Sequence, residues 1–521
     1  MNSCATRDPW GVPLLAVAAV LLLTHLDNGR LWQDEAETAV LARNTLRYGY
    51  PSAFDGVNRV NPALSIQKGN AWTYHSWLPM YLAAVSFALL GPTTFAARLP
   101  FALLGLGSLW LAYRVFKRIT ADRLVSRIAS LTLVVSVPFL LHMRQCRYYA
   151  AAAFFTLWTV SAYWRFIHRK RWSALELLAA LTLLFHADHG AFIPVCGGLA
   201  LHFVGSQPTR KFWRSAAAVA LIIAATTIPW MVYLQSWQHH EPIRWKELSH
   251  HLQFYFRQIN RFLVPLVFWL IMAGCRRRSL KHAFGELGSE TRNGWRLTGC
   301  LLAAGVLFLI FIPWQRHFRY LVFLIPWLFL GQAALLADLF RSHQAVATAL
   351  TTVLLFTDLI HYSGPSILAA RIPGIRSKLS SPNVKCRSLP LEFLGELTHR
   401  YRGPVDGIVE LLQREGKPGQ SVKIPYDEIS LMFYTPSLKM EPVLKKNDFN
   451  QPTFPDWIVL RRDWLPDEFF SSPYYRKLES NYRRVVLDAP DIPWQNRPDP
   501  GYHRFRTDRE APPVIILQKI R

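Results

Sequence analysis

Cysteines are few in this sequence, and none of them has the spacing of a metal site. The chain has six among its 521 residues, and most of them lie in or beside apolar runs. They are Cys4, Cys146, Cys196, Cys275, Cys300 and Cys386. A zinc site or a disulfide framework requires cysteines at close, paired spacings. The scattered pattern argues against both, and we interpret the cysteines as packing residues.

Signatures of nucleotide binding and of serine hydrolases are also missing from the sequence. It contains no Walker loop, no dinucleotide-binding glycine fingerprint and no nucleophile elbow. It also has no repeat at solenoid periods and no low-complexity tract. A phosphate-bearing substrate would therefore have to be held by something other than a nucleotide-binding loop.

Acidic residues are scarce beside basic ones, with 34 Asp and Glu against 59 Lys and Arg and a net charge of +25. In a soluble protein this excess would indicate a nucleic-acid partner. Here 51% of the residues are hydrophobic, and they recur in runs of about 15–20, the length that crosses the hydrocarbon core of a bilayer. The cytoplasmic loops of membrane proteins carry such an excess of Lys and Arg. The composition therefore predicts a polytopic α-helical membrane protein.

Eleven apolar segments are predicted to span the membrane. The first resembles a signal peptide, but the chain returns to the membrane repeatedly, so we interpret it as an uncleaved span. The predicted spans are 10–26, 98–116, 125–141, 148–166, 173–186, 191–205, 214–234, 262–275, 298–313, 319–338 and 344–361. A further apolar stretch, SWLPMYLAAVSFALLG at 76–91, is a candidate twelfth span.

The Lys and Arg content of the loops decides whether residues 76–91 cross the membrane. If they do not cross and the N-terminus is cytoplasmic, the cytoplasmic turns hold 5, 4, 3, 6 and 1 basic residues and the outer turns hold 2, 0, 4 and 2. If they cross, every later loop inverts and the basic turns lie outside. The positive-inside rule therefore favours a juxtamembrane or re-entrant helix at 76–91, with the C-terminal residues on the outer face.

The sequence changes character after the last predicted span. Residues 401–435 have the pattern of a helix, a glycine-containing turn, a strand and a further helix or strand. PDWIVLRRDW, YRRVVLDAP and PPVIILQKI are typical of short buried strands bounded by proline. We therefore predict a transmembrane domain over 1–361, a linker over 362–394 and a small soluble α/β domain over 395–521.

Three acidic residues follow the first apolar run in the segment LWQDEAETAV, namely Asp34, Glu35 and Glu37. The residues after them have the spacing of an amphipathic helix, which would place Asp34 at a helix N-terminus, where the dipole favours negative charge. One interpretation is an acid pair in the first turn of an ordinary helix. The other is a functional carboxylate, because an acid next to hydrocarbon is costly to desolvate and tends to be kept for a use.

The pattern W-x-D-E-A-x-x-A-x-x-A-R-N-x-L-x-x-G, from Trp32 to Gly49, resembles the first outer loop of GT-C glycosyltransferases. The nearest groups are the lipid A aminoarabinose transferases and the protein O-mannosyltransferases. The similarity continues through SWLPMYLAAVSFALLGPTTFAARLPFALLGLGSLWLAYRVFKR and recurs in RQCRYYAAAAFF and FRYLVFLIPWLFL, so it covers most of residues 30–340. It implies a membrane enzyme that takes a sugar from a polyprenyl-phosphate carrier on the outer face.

The resemblance implies that Asp34 is a general base, with Glu35 as its assistant or as a metal ligand. An acceptor hydroxyl loses its proton as it attacks the anomeric carbon, so an acidic side chain must contact it. A single-displacement, inverting reaction needs one base and no covalent intermediate. Members of the family often have Lys or His followed by two prolines before the juxtamembrane helix. This chain has YHSWLP, so His75 is the matching basic residue in a sequence that departs from the pattern.

Two groups of basic and aromatic residues on the predicted outer face are candidates for binding the phosphate of the carrier. Arginine binds phosphate through two parallel hydrogen bonds, and tyrosine donates one. The groups are Arg144, Arg147 and Tyr148, and Arg316, His317, Arg319 and Tyr320. The alternative is that these side chains are ordinary interfacial residues among the lipid headgroups.

Two further outer turns are singled out by their polar residues. HADHGAF, at 186–192, contains Asp188, a candidate ligand for a divalent metal ion, with a helix cap as the alternative. The 235–258 loop contains the amphipathic stretch LSHHLQFYFRQ, which predicts a second juxtamembrane helix.

The predicted function is that of an inverting membrane glycosyltransferase in a bacterial inner membrane, with its active site and C-terminal domain on the periplasmic face. Its predicted partners are a polyprenyl-phosphate sugar such as a mannose or aminoarabinose carrier, membrane lipids, and an acceptor lipid, glycan or protein. No nucleic-acid partner is predicted. A transporter or flippase of lipid-linked sugars is the alternative, although such proteins usually contain internal repeats and interrupted helices.

Overall fold

The structure is a computed structural model, and the residues that it describes form two compact units. The described residues are 8–61, 70–235, 245–276, 286–311, 315–361, 387–441, 453–493 and 496–520. The first unit, called the helical unit below, comprises Met1–Thr24, Phe101–Arg144 and Tyr148–Leu394. The second, called the sheet unit, comprises His25–Pro100, Gln145–Arg147 and Gly395–Arg521. Cys4, Cys386 and most of the predicted linker 362–394 lie outside the described residues.

Every segment that is predicted to span the membrane contains helix. The helices up to residue 361 are α1 (Gly11–Leu23), α2 (Gln33–Tyr48), α3 (Leu78–Leu90), α4 (Thr94–Thr120), α5 (Arg123–Val135), α6 (Val137–Met143), α7 (Tyr149–Ile167), α8 (Ser173–Ala187), α9 (His189–Gly205), α10 (Arg210–Leu234), α11 (Leu248–Phe262), α12 (Leu266–Cys275), α13 (Ser289–Phe311), α14 (Ile325–Ser342) and α15 (Gln344–Phe356). α3 covers the predicted juxtamembrane helix, and α11 covers the predicted amphipathic one. Whether these two helices lie on the membrane stays a prediction.

Four helical segments in the described part of the chain are long and apolar enough to cross a membrane alone. They are α4, α10, α13 and Phe318–Ser342, in which a 3-10 turn leads into α14. Two pairs of helices are bent at a short break, and each pair would add one span if it counts as a single segment. The pairs are α5 with α6, bent by 64°, and Trp245–Phe262 with α12, bent by 80°. These helices are those of a multi-pass membrane protein, and the number of eleven spans stays a prediction.

Prolines explain the two bends. The span predicted over 125–141 is broken at Ser136, and Pro138 lies in the first turn of α6. The span predicted over 262–275 begins only at Leu266, directly after Pro265. A proline has no backbone N–H to donate and its ring clashes with the preceding turn, so a new helix begins at it more easily than an old one continues through it.

The sheet unit contains a mixed five-stranded sheet formed by the C-terminal residues. Its strands are β1 (Ser421–Lys423), β2 (Lys439–Met440), β3 (Trp457–Leu460), β4 (Tyr482–Pro490) and β5 (Pro513–Lys519), in the order β2-β1-β3-β5-β4. β1 pairs in parallel with β2 and β3, whereas β5 pairs antiparallel with β3 and β4. The helices of the C-terminal residues are α16 (Leu389–Thr398), α17 (Pro404–Glu415), α18 (Glu428–Tyr434), α19 (Asp467–Ser471) and α20 (Pro473–Asn481).

Both faces of this sheet are covered by hydrophobic side chains. Because side chains alternate along a strand, Ile516 of β5 packs in a cluster with α17, and its neighbour Leu517 packs in a second cluster with α20. Trp457 of β3 belongs to the first cluster and Ile458 to the second. This two-sided burial explains the continuous hydrophobic runs of β3 and β5. All three predicted strands form, at β3, β4 and β5, but β4 lies at the edge of the sheet with most of its middle residues half-buried or exposed, so the prediction that it is buried was wrong.

Glycines allow close helix packing in the helical unit. A Cβ at Gly294 of α13 would lie 2.0 Å from the carbonyl oxygen of Ile119 in α4, so only a glycine fits at this contact. Gly198 of α9 is similar, since a Cβ there would lie 2.9 Å from the Cα of Leu301. Small residues of this kind let membrane helices approach closely and gain van der Waals contact where lipid removes the hydrophobic driving force.

We expect Gly294→Ala to destabilise the helical unit, because the added methyl group must push α13 away from the Ile119 carbonyl. Overpacking of this kind costs about 1–3 kcal/mol, which would appear as a clear fall in the thermal unfolding midpoint of the detergent-purified chain. Gly299→Ala on the same helix is the matched control, because nothing lies within 4 Å of its Cβ position. Equal stability of the two variants would contradict the close contact.

Candidate active site

The first turn of α2 brings the three predicted acids together in the sheet unit. Trp32 precedes the helix in an extended conformation, and Asp34 and Glu35 lie in its first turn. The helix ends at Gly49, whose φ of 79° is in the left-handed region that favours glycine. Most of α2 is buried on all sides, unlike the predicted amphipathic helix, and only its last residues, from Leu46 to Tyr48, are exposed. The acids at its start therefore have different surroundings, which are described in turn.

Glu35 is fully buried and anchored by an arginine. Its two carboxylate oxygens accept hydrogen bonds from Nε and Nη2 of Arg98, each at 2.8 Å. The backbone N–H of Cys146 donates to the same carboxylate at 2.9 Å. Arg98 also donates through Nη1 to the carbonyls of Leu26 and Asn28, at 3.1 and 2.9 Å. These bonds hold Glu35 in place as a positioning residue, and its predicted part in catalysis or metal binding stays a prediction.

Glu37 is buried one helical turn after Asp34. It accepts hydrogen bonds from Arg147 Nη1 at 2.7 Å and from the Asn61 amide at 2.7 Å, and His75 Nε2 lies 3.4 Å away. Burial raises the pKa of the Glu37 carboxyl; the nearby Asp34 carboxylate adds to the rise, whereas the Arg147 guanidinium opposes it. Asp34 and Glu37 therefore lie within electrostatic reach of each other.

Arg147, a predicted phosphate ligand, and His75, the predicted basic residue before α3, both lie beside these acids. Besides Glu37, Arg147 donates to the backbone carbonyl of Asp34 at 3.1 Å and to the Thr38 hydroxyl at 3.1 Å. Its Nη2 lies 2.6 Å from Nε2 of His75. This network fixes the first turn of α2, so Arg147 orients the acids as well as supplying positive charge.

Asp34 differs from the two buried acids because its side chain is half-buried. It lies close enough to Tyr426, in the C-terminal part of the sheet unit, to contribute to the rise in the pKa of the Tyr426 hydroxyl, for which burial is the larger cause. The ring of Tyr426 stacks on Trp464 with centroids 4.1 Å apart and planes 7° apart. The segment Tyr426–Glu428 therefore lies beside the acid that the sequence predicts as the base.

A buried arginine holds this segment in position. Arg461 is completely buried and donates to Asp427, Asp491 and the carbonyl of Ile492, each at 2.6 Å. Asp427 has a φ of 73°, a left-handed conformation that is uncommon outside glycine but that aspartate adopts more readily than most residues. Its ion pair with Arg461 stabilises this conformation, and α18 begins at the next residue.

Glu428 is a fourth acid in the same neighbourhood. It is hydrogen-bonded to the side chain of Gln33, the residue before Asp34, and the backbone N–H of Ile429 donates to Gln33 Oε1 at 3.3 Å. Burial raises the pKa of Glu428 to about 7, and the negative charges of Asp427 and Glu37 add to the rise. Near neutral pH this carboxyl is therefore part protonated and able to donate or to accept a hydrogen bond.

Sequence reasoning named Asp34 and Glu35 but gave no role to Glu37 and found no catalytic constellation around Glu428. Glu37 could have been found, because it lies three residues after Asp34 and therefore on the same side of a helix. Glu428 is 394 positions away from Asp34, and a single sequence contains no signal that joins them.

The other predicted residues lie in the helical unit, where five of them approach one another. Arg319, Tyr320 and Asp188 all lie within electrostatic reach of the Tyr148 hydroxyl. The Arg319 guanidinium lies 5.7 Å from the ring centroid of Tyr320, and the His317 ring lies 5.8 Å from the same centroid. These residues form an aromatic and basic group, called the Tyr148 group below.

Two predicted phosphate ligands are bound elsewhere in the helical unit. Arg144 donates to the carbonyls of Leu21, Leu22 and Thr24 at 2.9–3.0 Å, which satisfies the end of α1. Arg316 is exposed and pairs with Glu247 at 3.2 Å. Their roles at a phosphate stay predictions, and the geometry gives each of them a structural role.

Asp188 caps a helix, which was the alternative to a metal site. It precedes α9 and accepts a hydrogen bond from the backbone N–H of Gly190 at 3.0 Å. Within the described ranges, no three His, Cys, Asp or Glu side chains are grouped so that they could hold a metal ion. The metal therefore stays a prediction, and none of the steps proposed below depends on it.

The raised pKa of Glu428 predicts a pH dependence of stability. The folded chain binds this proton more tightly than the unfolded chain, so this group makes folding less favourable as the pH rises from about 4.5 to about 7. Glu428→Gln stays neutral, so its thermal midpoint should fall less than that of the parent chain between pH 5 and pH 8. The exposed Glu410, changed to Gln, is the control and should follow the parent. A parallel fall in all three would contradict the burial of Glu428.

The chain was compared with known proteins. No protein-family model and no curated protein matches it. Two crystal structures of ArnT from Cupriavidus metallidurans match this chain, one in the apo state and one bound to undecaprenyl phosphate. Each has a TM-score of 0.56 and 14% identity, and each match covers 98% of both chains. A cryo-EM structure of a mutant of the mycobacterial arabinofuranosyltransferase AftD matches with a TM-score of 0.50 and 16% identity, over 99% of this chain and 42% of that one. These proteins belong to the GT-C superfamily, and the likeness shows that this chain has the GT-C fold.

Proposed function

We propose that this chain is an integral membrane glycosyltransferase, which moves a monosaccharide from a polyprenyl-phosphate carrier to an acceptor hydroxyl. The GT-C fold supports the reaction class, and the matching ArnT structure with undecaprenyl phosphate supports the type of donor. The observation that carries the proposal is that the three acids at the start of α2 differ in burial. Glu35 and Glu37 are buried in ion pairs with arginines, whereas Asp34 beside them is half-buried.

Asp34 is the general base of the proposed reaction. Its carboxylate takes the proton of the acceptor hydroxyl while the acceptor oxygen bonds to the anomeric carbon from the face opposite the phosphate. The bond from that carbon to the phosphate oxygen breaks, and the polyprenyl phosphate leaves with the electron pair. The configuration at the anomeric carbon is therefore inverted. Glu37 and Glu428 add negative charge near Asp34, which favours uptake of the acceptor proton by this carboxylate.

Positive charge is needed where the carrier phosphate departs. In the sheet unit, His75 and Arg147 are the candidates, since both lie beside the first turn of α2. In the helical unit, Arg319 with the hydroxyls of Tyr148 and Tyr320 is the candidate, because an arginine next to tyrosines can bind phosphate oxygens through several hydrogen bonds. The donor sugar is of the mannose or aminoarabinose type.

The C-terminal part of the sheet unit helps to select the acceptor in this proposal. Tyr426 and Glu428 lie beside Asp34 and Gln33, the half-buried residues at the start of α2. Glu428, with a pKa near the working pH, can hydrogen-bond to an acceptor hydroxyl as donor or as acceptor. The acceptor is a lipid, a glycan or a protein, reached on the periplasmic face of a bacterial inner membrane.

We expect Asp34→Asn to lower the rate of sugar transfer by about 10²–10⁴-fold, the range for loss of a general base. The measurement is transfer from undecaprenyl-phosphate sugars to an outer-membrane lipid or glycan acceptor by the purified chain in detergent. Asp27→Asn is the matched control, because Asp27 lies nearby in sequence with half of its side chain exposed, paired with Arg400 at 3.6 Å. Unchanged transfer by a folded Asp34→Asn variant would end the assignment of the base.

The proposed orientation is tested by thiol labelling of intact cells. Lys417 lies exposed in the turn between α17 and β1, and Lys170 lies exposed between α7 and α8. Lys417→Cys should react with a membrane-impermeant reagent, whereas Lys170→Cys should react only after the cells are opened. Labelling is compared with the parent chain, which contains native cysteines. The reverse pattern would mean that the soluble domain faces the cytoplasm and that α3 crosses the membrane.

A further inference from the structure

We propose that the helical unit binds an anionic phospholipid by its phosphate, in a groove between α4, α7 and α8. The groove contains a cavity of about 320 Å³. Three arginines, one glutamate and several aromatic residues line it, and none of them has a part in the proposed sugar transfer. The lining residues are Trp110, Leu111, Arg114, Arg118, Phe154, Trp158, Ser161, Arg165 and Glu176.

The groove lies at the other end of α7 from the Tyr148 group. Tyr148 precedes the first residue of α7, and Arg165 lies near its last. An α-helix rises 1.5 Å per residue, so the two positions are separated by about 25 Å along the helix axis, most of the thickness of a hydrocarbon core. The groove is therefore a separate site, at the end of the bundle where α4 ends and α8 begins.

The charges in the groove do not balance. Arg114 and Arg165 both lie close enough to Arg118 to repel its guanidinium, and Glu176 is the single acid among the described lining residues. Glu176 pairs with Arg165 at 2.6 Å and accepts a hydrogen bond from the Trp158 indole at 3.3 Å. Glu176 also attracts the Arg118 guanidinium, but one glutamate faces three arginines in this lining. The net excess is two positive charges, which favours binding of an anionic group such as the phosphodiester of a lipid.

The two arginines are held in fixed orientations. The Arg114 guanidinium lies over the Trp110 ring, 4.7 Å from its centroid. Arg118 donates from Nη1 to the Ser161 hydroxyl at 3.0 Å. Holding a flexible side chain in advance lowers the entropy that is lost when a ligand binds.

The groove continues into an apolar track on the face of α4. Leu103, Gly107, Trp110 and Arg114 follow one another at intervals of three or four residues, so they share one side of the helix. Leu103 and Trp110 are 50% and 43% exposed. Gly107 leaves room for the Phe154 ring, since a Cβ there would lie 2.9 Å from it. A ligand with a phosphate at Arg114 and Arg118 and a hydrocarbon chain along this track has the chemistry of a phospholipid, which favours a lipid over free phosphate.

The neighbouring turn indicates which leaflet the groove faces. Arg169, Lys170 and Arg171 lie between α7 and α8 at the same end of the bundle, and all three are exposed. This is one of the turns whose basic residues predict a cytoplasmic position. Anionic lipids of the cytoplasmic leaflet are attracted to basic pockets between helices on that side, and Trp110 is the kind of residue that is enriched at the headgroup level.

The test is native mass spectrometry of the delipidated full chain with phosphatidylglycerol, with phosphatidylcholine and with inorganic phosphate. The parent chain should retain phosphatidylglycerol in preference to phosphatidylcholine. The double variant Arg114→Gln, Arg118→Gln should bind phosphatidylglycerol about thirtyfold more weakly, since two basic contacts are lost. Its rate of sugar transfer in detergent should stay that of the parent.

The control is Lys170→Gln, Arg171→Gln, which removes the same charge at the same end without touching the cavity, and it should bind like the parent. Equal loss in both double variants would show general surface attraction and overturn the site. Inorganic phosphate that displaces the lipid at equal concentration would overturn the assignment to a lipid.

If the first variant does not fold, Trp110→Ala takes its place, because it removes the support of Arg114 and part of the track. Unchanged lipid binding in Trp110→Ala would then overturn the proposal.

Discussion

The buried pair of Glu35 and Arg98 is the interaction on which the arrangement of the acids depends. Glu35 is completely buried, and both of its carboxylate oxygens accept from Arg98, while Arg98 also donates to backbone carbonyls between Leu26 and Gly29. The N–H of Cys146 completes the set. The pair therefore joins four segments of the chain, and removal of one partner from such a buried pair costs about 3–5 kcal/mol, because the other charge is left without compensation. The position of Asp34, one residue before Glu35, follows from this anchor.

Three acids at the start of one helix have different surroundings, because Glu35 and Glu37 are buried and Asp34 is half-buried. Arg98 neutralises Glu35, and Arg147 with His75 binds Glu37. Asp34 lies in the same turn and keeps partial contact with solvent. A sequence shows only that these acids are close together. The difference between a positioning carboxylate and a proposed base depends on residues 60 to 110 positions away, which folding brings to the same turn.

The sequence was sufficient for most secondary structure, whereas the candidate site depends on contacts between distant segments. Apolar runs predicted a helix at each span, and proline-bounded hydrophobic runs predicted β3, β4 and β5, because these patterns are local. The bend at Ser136 was missed because the run is apolar on both sides of Pro138. The bonds of Arg144 to the carbonyls of Leu21, Leu22 and Thr24 have no signal in the sequence, because they join segments more than 100 positions apart, and its role at a phosphate stays a prediction. Glu428 was missed because its proximity to Gln33 is a tertiary contact with no local pattern.

The strand order of the sheet has a consequence for how the protein is made. β5 lies between β3 and β4, although it follows both in the chain. Neither of those strands can complete its hydrogen bonds before β5 has left the ribosome, and Arg461, which holds the turn before Glu428, follows β3 directly. At 5–20 residues per second, the ribosome needs about 25–100 s to move from Asp34 to the end of β5. During that interval the nascent chain already has its first membrane helices and its candidate base, but the domain that brings Glu428 to Gln33 has not yet formed.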